Sequence, residues 1–73
     1  MNEETRYQYL ARKRRESKIT QLALSKLLRC SRAGVSSREI SQDLTINEMN
    51  SLEDLLPGFT LLEYISLPRE ATP

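Results

Sequence analysis

The sequence predicts an all-α fold, a compact bundle of four to five short helices with a short C-terminal tail. Three observations carry this reading. Apolar residues recur at helical spacing in stretches free of proline and glycine, a Ser or Thr stands where each stretch after the first would begin, and a Pro-Gly pair separates two of them. A chain of 73 residues makes one domain, and one this small buries only about 60% of its unfolded surface. With 38% apolar and 5% aromatic residues, the core is a single Leu/Ile cluster and a large enclosed pocket is not expected.

The first helix is expected from Glu3 to Ser17, with Tyr7, Leu10, Ala11 and Arg14 at helical spacing and the basic run Arg12-Lys13-Arg14-Arg15 at its far end. Ile19 to Leu28 follows as a short buried helix, with Thr20 as N-cap and Ile19, Leu22, Ala23, Leu24, Leu27 and Leu28 on a broad apolar arc. Ser31 is the N-cap of a third helix that runs to about Glu39 or Ile40. Thr45 and Glu48 have the spacing of a capping box, and Met49, Leu52, Leu55 and Leu56 then form one stripe that stops at Pro57-Gly58. Thr60 and Glu63 repeat that spacing, so Phe59 to Ile65 reads as a fifth helix. A short strand is the alternative, since Phe, Thr, Tyr and Ile favour strands, but it would have no partner. Residues 1–66 are read as one domain and residues 67–73, LPREATP, as a flexible tail.

One cysteine and no histidine leave neither an internal disulfide nor a Cys/His zinc site. Cys30 is expected as a small core hydrophobe. No nucleophile–base pair and no Gly-rich phosphate loop marks the chain as an enzyme, so no cofactor and no small-molecule substrate is expected. No apolar run approaches the roughly 20 residues of a membrane span, and the first residues lack the basic-then-apolar order of a signal peptide. A cytoplasmic protein without a membrane partner is the expectation. The net charge of +1 conceals a segregation: residues 1–38 carry ten Lys/Arg against three acids, and the remainder carries seven acids against Arg69. Such a split suggests one face for a polyanion and another for a different partner.

The stretch from Arg14 to Glu39 is the informative one. It places Arg14 near the end of the first helix, then Ile19, then Thr20-Gln21 opening the second helix, followed by Leu24-Ser25 and Leu28. A tight turn at Arg29-Cys30 comes next, then a Ser-rich helix over Ser31 to Ser37 with Val35 as its buried aliphatic, and a closing Glu39. In this order and spacing the residues resemble the Cro/CI-type (XRE-like) helix-turn-helix family of phage repressors and their bacterial relatives. Two short helices that cross steeply touch through a small residue on one and an aliphatic on the other, here Ser25 and Val35. The chain departs from the family pattern in three places. Arg29 stands where Gly is usual and must accept a left-handed or adjusted conformation, Ser25 replaces the usual Ala, and Gly34 lies inside the third helix.

The resemblance implies a sequence-specific DNA-binding regulator, Cro-like or repressor-like, that reads the major groove of double-stranded DNA as a homodimer. Thr20 and Gln21 would face a phosphate or an adjacent base. Ser31, Arg32, Ala33, Ser36 and Ser37 would face the groove, with Arg32 reaching guanine O6 and N7 together. Arg12, Arg15, Lys18 and Arg38 are candidates for phosphate contact, where they would supply affinity and salt dependence. Arg14 and Glu39 are expected as a structural ion pair. Met49, Leu52, Leu56, Leu61, Tyr64 and Ile65 are candidates for a dimer or partner surface, several of them also for the core. The acidic half carries a competing expectation, a protein-binding regulator such as an antirepressor. It would sequester a repressor or polymerase, a protein partner in the transcription machinery, through Glu48, Glu53, Asp54 and Glu63.

Overall fold

Five hydroxyl residues set where the helices begin. Thr5, Thr20, Ser31, Thr45 and Thr60 each accept the backbone N–H three residues on, which satisfies one of the donors that a helix start leaves open. In the computed structural model, which describes residues 4–70, the helices that follow are α1 (Arg6–Glu16), α2 (Gln21–Leu28), α3 (Arg32–Arg38), α4 (Ile46–Leu55) and α5 (Leu61–Ser66). Among the described residues there is no strand, so the segment at 59–65 resolves as helix. Among the described residues no helix is long and apolar enough to cross a membrane.

Helix α1 starts at Arg6, and the Glu3 expected to open it lies outside the described residues. Thr5 and Gln8 form a reciprocal capping box there, with the Thr5 N–H donating to the Gln8 side chain at 2.9 Å. The box expected at Thr45 is complete, with Glu48 accepting the Thr45 N–H at 3.0 Å. The one expected at Thr60 is only half made. Glu63 accepts from the Thr60 hydroxyl, and the Thr60 N–H goes to the Tyr9 hydroxyl instead, because Tyr9 is packed beneath it. Helix α4 stops at Leu55 because Leu56 precedes Pro57, and the residue before a proline is pushed out of the helical region.

Two helices end on left-handed residues that are not glycine. After α1, Lys18 (φ 59°) donates to the Arg15 carbonyl and Ile19 donates to the Arg14 carbonyl. After α2, Arg29 (φ 57°, ψ 45°) donates to Lys26 and Cys30 donates to Ser25. Both pairs make the Schellman arrangement, which returns orphan carbonyls to partners and turns the chain sharply. Gly58 takes the third left-handed position, with φ 84°.

The core is assembled from all five helices and the loops between them: Tyr9, Leu10, Leu24, Val35, Leu44, Met49, Leu52, Leu56, Phe59 and Tyr64. Phe59 lies between Tyr9 and Tyr64 at ring-centre distances of 5.4 and 5.8 Å, both tilted, which fits the electrostatics of aromatic pairs. Four of the residues considered for a partner surface, Met49, Leu52, Leu56 and Tyr64, are in this core, and Leu61 packs against it. They are corrected to intramolecular packing, because they share the core with Tyr9, Leu10, Leu24 and Val35 of the first three helices. Ile65 is exposed, and so is Leu62 beside it.

The second helix departs from its expected burial. Only Leu24 and Ser25 are buried, while Leu22 and Leu27 remain 53% and 48% exposed. A chain this short has no further element to cover the outer half of the apolar arc. Cys30 is half-buried against the core and not fully enclosed. The first residues of the expected tail are held against the body. The Arg6 N–H donates to the Pro68 carbonyl at 2.9 Å, and the Arg6 guanidinium donates to the Leu67 and Ile65 carbonyls. Arg69 pairs with Asp43 at 2.8 Å, so residues 67–69 are fastened to the body and residues 71–73 lie outside the described residues.

The buried Leu44 N–H has the Tyr64 hydroxyl as its partner at 3.1 Å. Replacing Tyr64 with Phe keeps the ring and orphans that N–H, which costs about 1–3 kcal/mol. At about 4–8 °C per kcal/mol for a domain of this size, calorimetry should show a lower Tm with the helical circular dichroism of the folded state retained.

Candidate nucleic-acid interface

Arg14 and Glu39 are joined by two contacts, Nε to Oε2 at 2.5 Å and Nη2 to Oε1 at 3.3 Å, with the side chains only 12% and 7% exposed. The third Arg14 donor, Nη1, reaches the Ile19 carbonyl at 2.8 Å. Glu39 also accepts from the Gln21 amide nitrogen at 3.0 Å. One guanidinium thereby ties the end of α1 to the segment before α2 and to the end of α3. Because a carboxylate only accepts, Gln21 must turn its NH2 inward, which fixes the orientation of its amide.

The start of α3 lies beside the start of α2. Arg32 borders an open depression together with Arg14, Thr20, Gln21 and Leu22. Thr20, Ser31, Arg32, Ala33 and Ser37 are exposed, and Gln21 and Ser36 are half-buried. Thr20 and Ser31 use their hydroxyls as acceptors for Ala23 and Gly34, so they act first as caps. Ser25 and Val35, the expected crossing contact, are both buried on these two helices.

The phosphate candidates divide into two groups. Arg12 is held by Glu4 at 2.8 Å and Glu16 at 3.1 Å, and Arg38 by Glu48 at 2.8 Å with its side chain only 12% exposed. Each guanidinium is already paired with a carboxylate that a phosphate would have to displace, Arg12 in a surface pair with its side chain 42% exposed and Arg38 nearly enclosed. The Arg38 bond also accounts for Gly34. A Cβ there would stand 2.9 Å from Arg38 Nη1, the atom that donates to the Gly34 carbonyl at 2.8 Å. The glycine makes room for an arginine within the domain. Arg15 and Lys18, by contrast, are exposed with no hydrogen-bond or ion-pair partner among the described residues.

Three further cations share that condition, Lys26, Arg29 and Arg32. All five lie between the last turn of α1 and the first residue of α3. The one acid within that stretch, Glu16, is engaged by Arg12 and Lys13. The basic half of the sequence is therefore sorted by the fold. Arg12, Arg14 and Arg38 are matched to carboxylates, Arg6 to backbone carbonyls, and the unmatched charge is concentrated around α2. Sequence reasoning missed Lys26 and Arg29 as members of this group. A local signal existed, since neither has an acid three or four residues away.

The acidic residues are spent more internally than the sequence suggests. Burial pushes the Glu48 carboxyl up, but its bonds from Arg38 and from the Thr45 N–H outweigh this and hold it below the usual carboxylate range. Tyr7 donates to Asp43 at 2.7 Å, and with Arg69 beside it that carboxyl is also held low. Glu53 accepts the Leu61 N–H at 3.1 Å, and Asp54 stays exposed. The chain matches no described protein family, no curated protein and no solved structure.

Two measurements test this geometry. Removing one member of the Arg14–Glu39 bridge should cost about 3–5 kcal/mol, since it strands a mostly buried charge. The pair replacement Arg14→Met with Glu39→Leu should unfold at higher denaturant than either single variant, and strict additivity would refute the coupling. A carboxyl held below its ordinary 4.5 stabilises the fold fully above that pH, and the contribution fades as pH falls through the lowered folded value. Glu48→Gln retains the capping geometry without the charge, so its Tm deficit against the parent should be largest near neutrality and shrink below pH 4.5.

Proposed function

We propose that the chain is a sequence-specific DNA-binding transcriptional regulator that inserts α3 into the major groove and acts as a homodimer. The observation that carries this reading is the group of five exposed cations around α2, unpaired among the described residues, beside a short helix whose outward residues are an arginine, an alanine and serines. Unmatched Lys and Arg on one segment suit a phosphate backbone, which supplies most of the affinity of such complexes. The resemblance of the Arg14–Glu39 stretch to Cro/CI-type proteins supports the same reading. Arg32 is the long donor at the start of α3, suited to a guanine edge, while Arg15 and Lys18 suit phosphates. A single small module buries only about 600–1,000 Å² on DNA, which favours pairing of two. Leu62 and Ile65, one turn apart on α5 and 74% and 44% exposed, offer an apolar patch for it. No enzymatic role is proposed.

Titration of duplex genomic fragments at several salt concentrations tests the reading. Saturable binding to selected fragments is expected, with log K falling by about 0.9 for each phosphate neutralised per unit log salt. Arg32→Ala should weaken the selected fragment by about 1–3 kcal/mol while leaving random DNA nearly unaffected. An Arg32→Ala protein with full regulatory activity, alongside a loss of activity on reversing the charge of Glu53 or Asp54, would instead favour the protein-binding regulator.

A further inference from the structure

Resting on the DNA-binding reading, we infer that Leu22, which the sequence places on the buried arc of α2, reads the 5-methyl group of a thymine close to the guanine that Arg32 contacts. An exposed leucine by itself says little, and Leu27, Ile40 and Ile46 are exposed as well. What distinguishes Leu22 is its company. It borders one depression with Arg14, Thr20, Gln21 and Arg32, so the starts of α2 and α3 bring these side chains to a common surface. Most of that surface is committed to the fold: Arg14 and Gln21 are both held by Glu39, and the Thr20 hydroxyl accepts the Ala23 N–H. Two side chains are left over. Arg32 is exposed without a hydrogen-bond or ion-pair partner among the described residues, and Leu22 is 53% exposed.

The major groove is complementary to that pair. Its base edges are hydrogen-bonding groups with one apolar exception, the thymine methyl, and guanine is the base that takes two donors from one arginine. A long donor and an aliphatic side chain on one concave surface therefore match a guanine and a thymine within the same short reach. Base pairs stack about 3.4 Å apart, so side chains that line a single depression meet base pairs no more than about two steps from each other. Leu22 is the second residue of α2, in a first turn that Thr20 caps, and its backbone is therefore in place before DNA arrives. Covering its exposed half with a methyl group removes apolar surface from water on both partners, which stabilises the complex.

Removing one methyl group at a time tests the contact. In the genomic fragment that the salt titration selects, each thymine is replaced in turn by deoxyuridine, which changes nothing but the methyl. One position in each half-site should then bind about three- to fivefold more weakly, the worth of one buried methyl. It should lie within about two base pairs of the guanine at which Arg32→Ala loses discrimination. At that position 5-methylcytosine should bind more tightly than cytosine by a similar factor. Leu22→Ala should bind the thymine and deoxyuridine duplexes equally. Leu27→Ala should keep the parent's ratio, because Leu27 is as exposed but borders Asn47, Glu48 and Ser51 instead. Equal binding of every deoxyuridine duplex by the parent would overturn the contact and leave the DNA reading standing. So would a methyl dependence that survives in Leu22→Ala, or one confined to thymines far from that guanine. A parent protein that binds no duplex at low salt would remove the DNA reading and the methyl contact together.

Discussion

The Arg14–Glu39 bridge is the interaction on which the arrangement of the first three helices depends. Guanidinium and carboxylate meet in two contacts at the place where α1 ends, α2 is about to begin and α3 ends. Taking both charges out of water is costly, and the bridge is tolerable because almost every donor and acceptor has a partner: Glu39, the Ile19 carbonyl and Gln21. Its value is therefore more in geometry than in net stability. It sets α2 and α3 against α1, and it orients the Gln21 amide at the edge of the surface proposed to meet DNA.

The second half of the chain is organised by tyrosines. The Tyr9 hydroxyl accepts the Thr60 N–H, Tyr64 accepts the Leu44 N–H and Tyr7 donates to Asp43. Each places a polar handle at the rim of an aromatic core, where it satisfies a loop that has no secondary structure of its own to do so. Arg6 performs the equivalent task at the C-terminal side by donating to the Ile65 carbonyl in the last turn of α5 and to the Leu67 carbonyl just beyond it. In so small a domain these side-chain-to-backbone bonds substitute for the extra helices a larger protein would use to cover its loops.

Charge pairing then decides what the surface presents. Near neutrality of the whole chain hides an uneven result, because carboxylates from the second half and from the ends of α1 neutralise Arg12, Arg14 and Arg38. The cations left over are those without an acid within reach, and they fall on one segment. The same pairing occupies Glu48 and Asp43, which leaves Glu53, Asp54, Glu63 and Glu70 as the exposed acids of the second half among the described residues. The electrostatic contrast between the halves survives folding on the basic side more than on the acidic one.

The sequence by itself determined the helices, because each start depends on a hydroxyl cap and each stop on a proline or a sharp turn, and these are local chemistry. Thr20, Ser31 and Thr45 could be read directly, and the Arg14–Glu39 pairing followed from a family resemblance spanning that stretch. What only the tertiary structure decided was which face of each helix is covered and which charge meets which. Leu22 and Leu27 look as buried as Leu24 in a periodicity argument, and Met49 and Tyr64 as free as Ile65, because an apolar stripe does not say how wide its neighbour is. Arg38 and Arg15 are alike in sequence. They part company because Glu48, ten residues from Arg38 along the chain, is brought within 2.8 Å of it by the tertiary fold, and no local rule carries that distance.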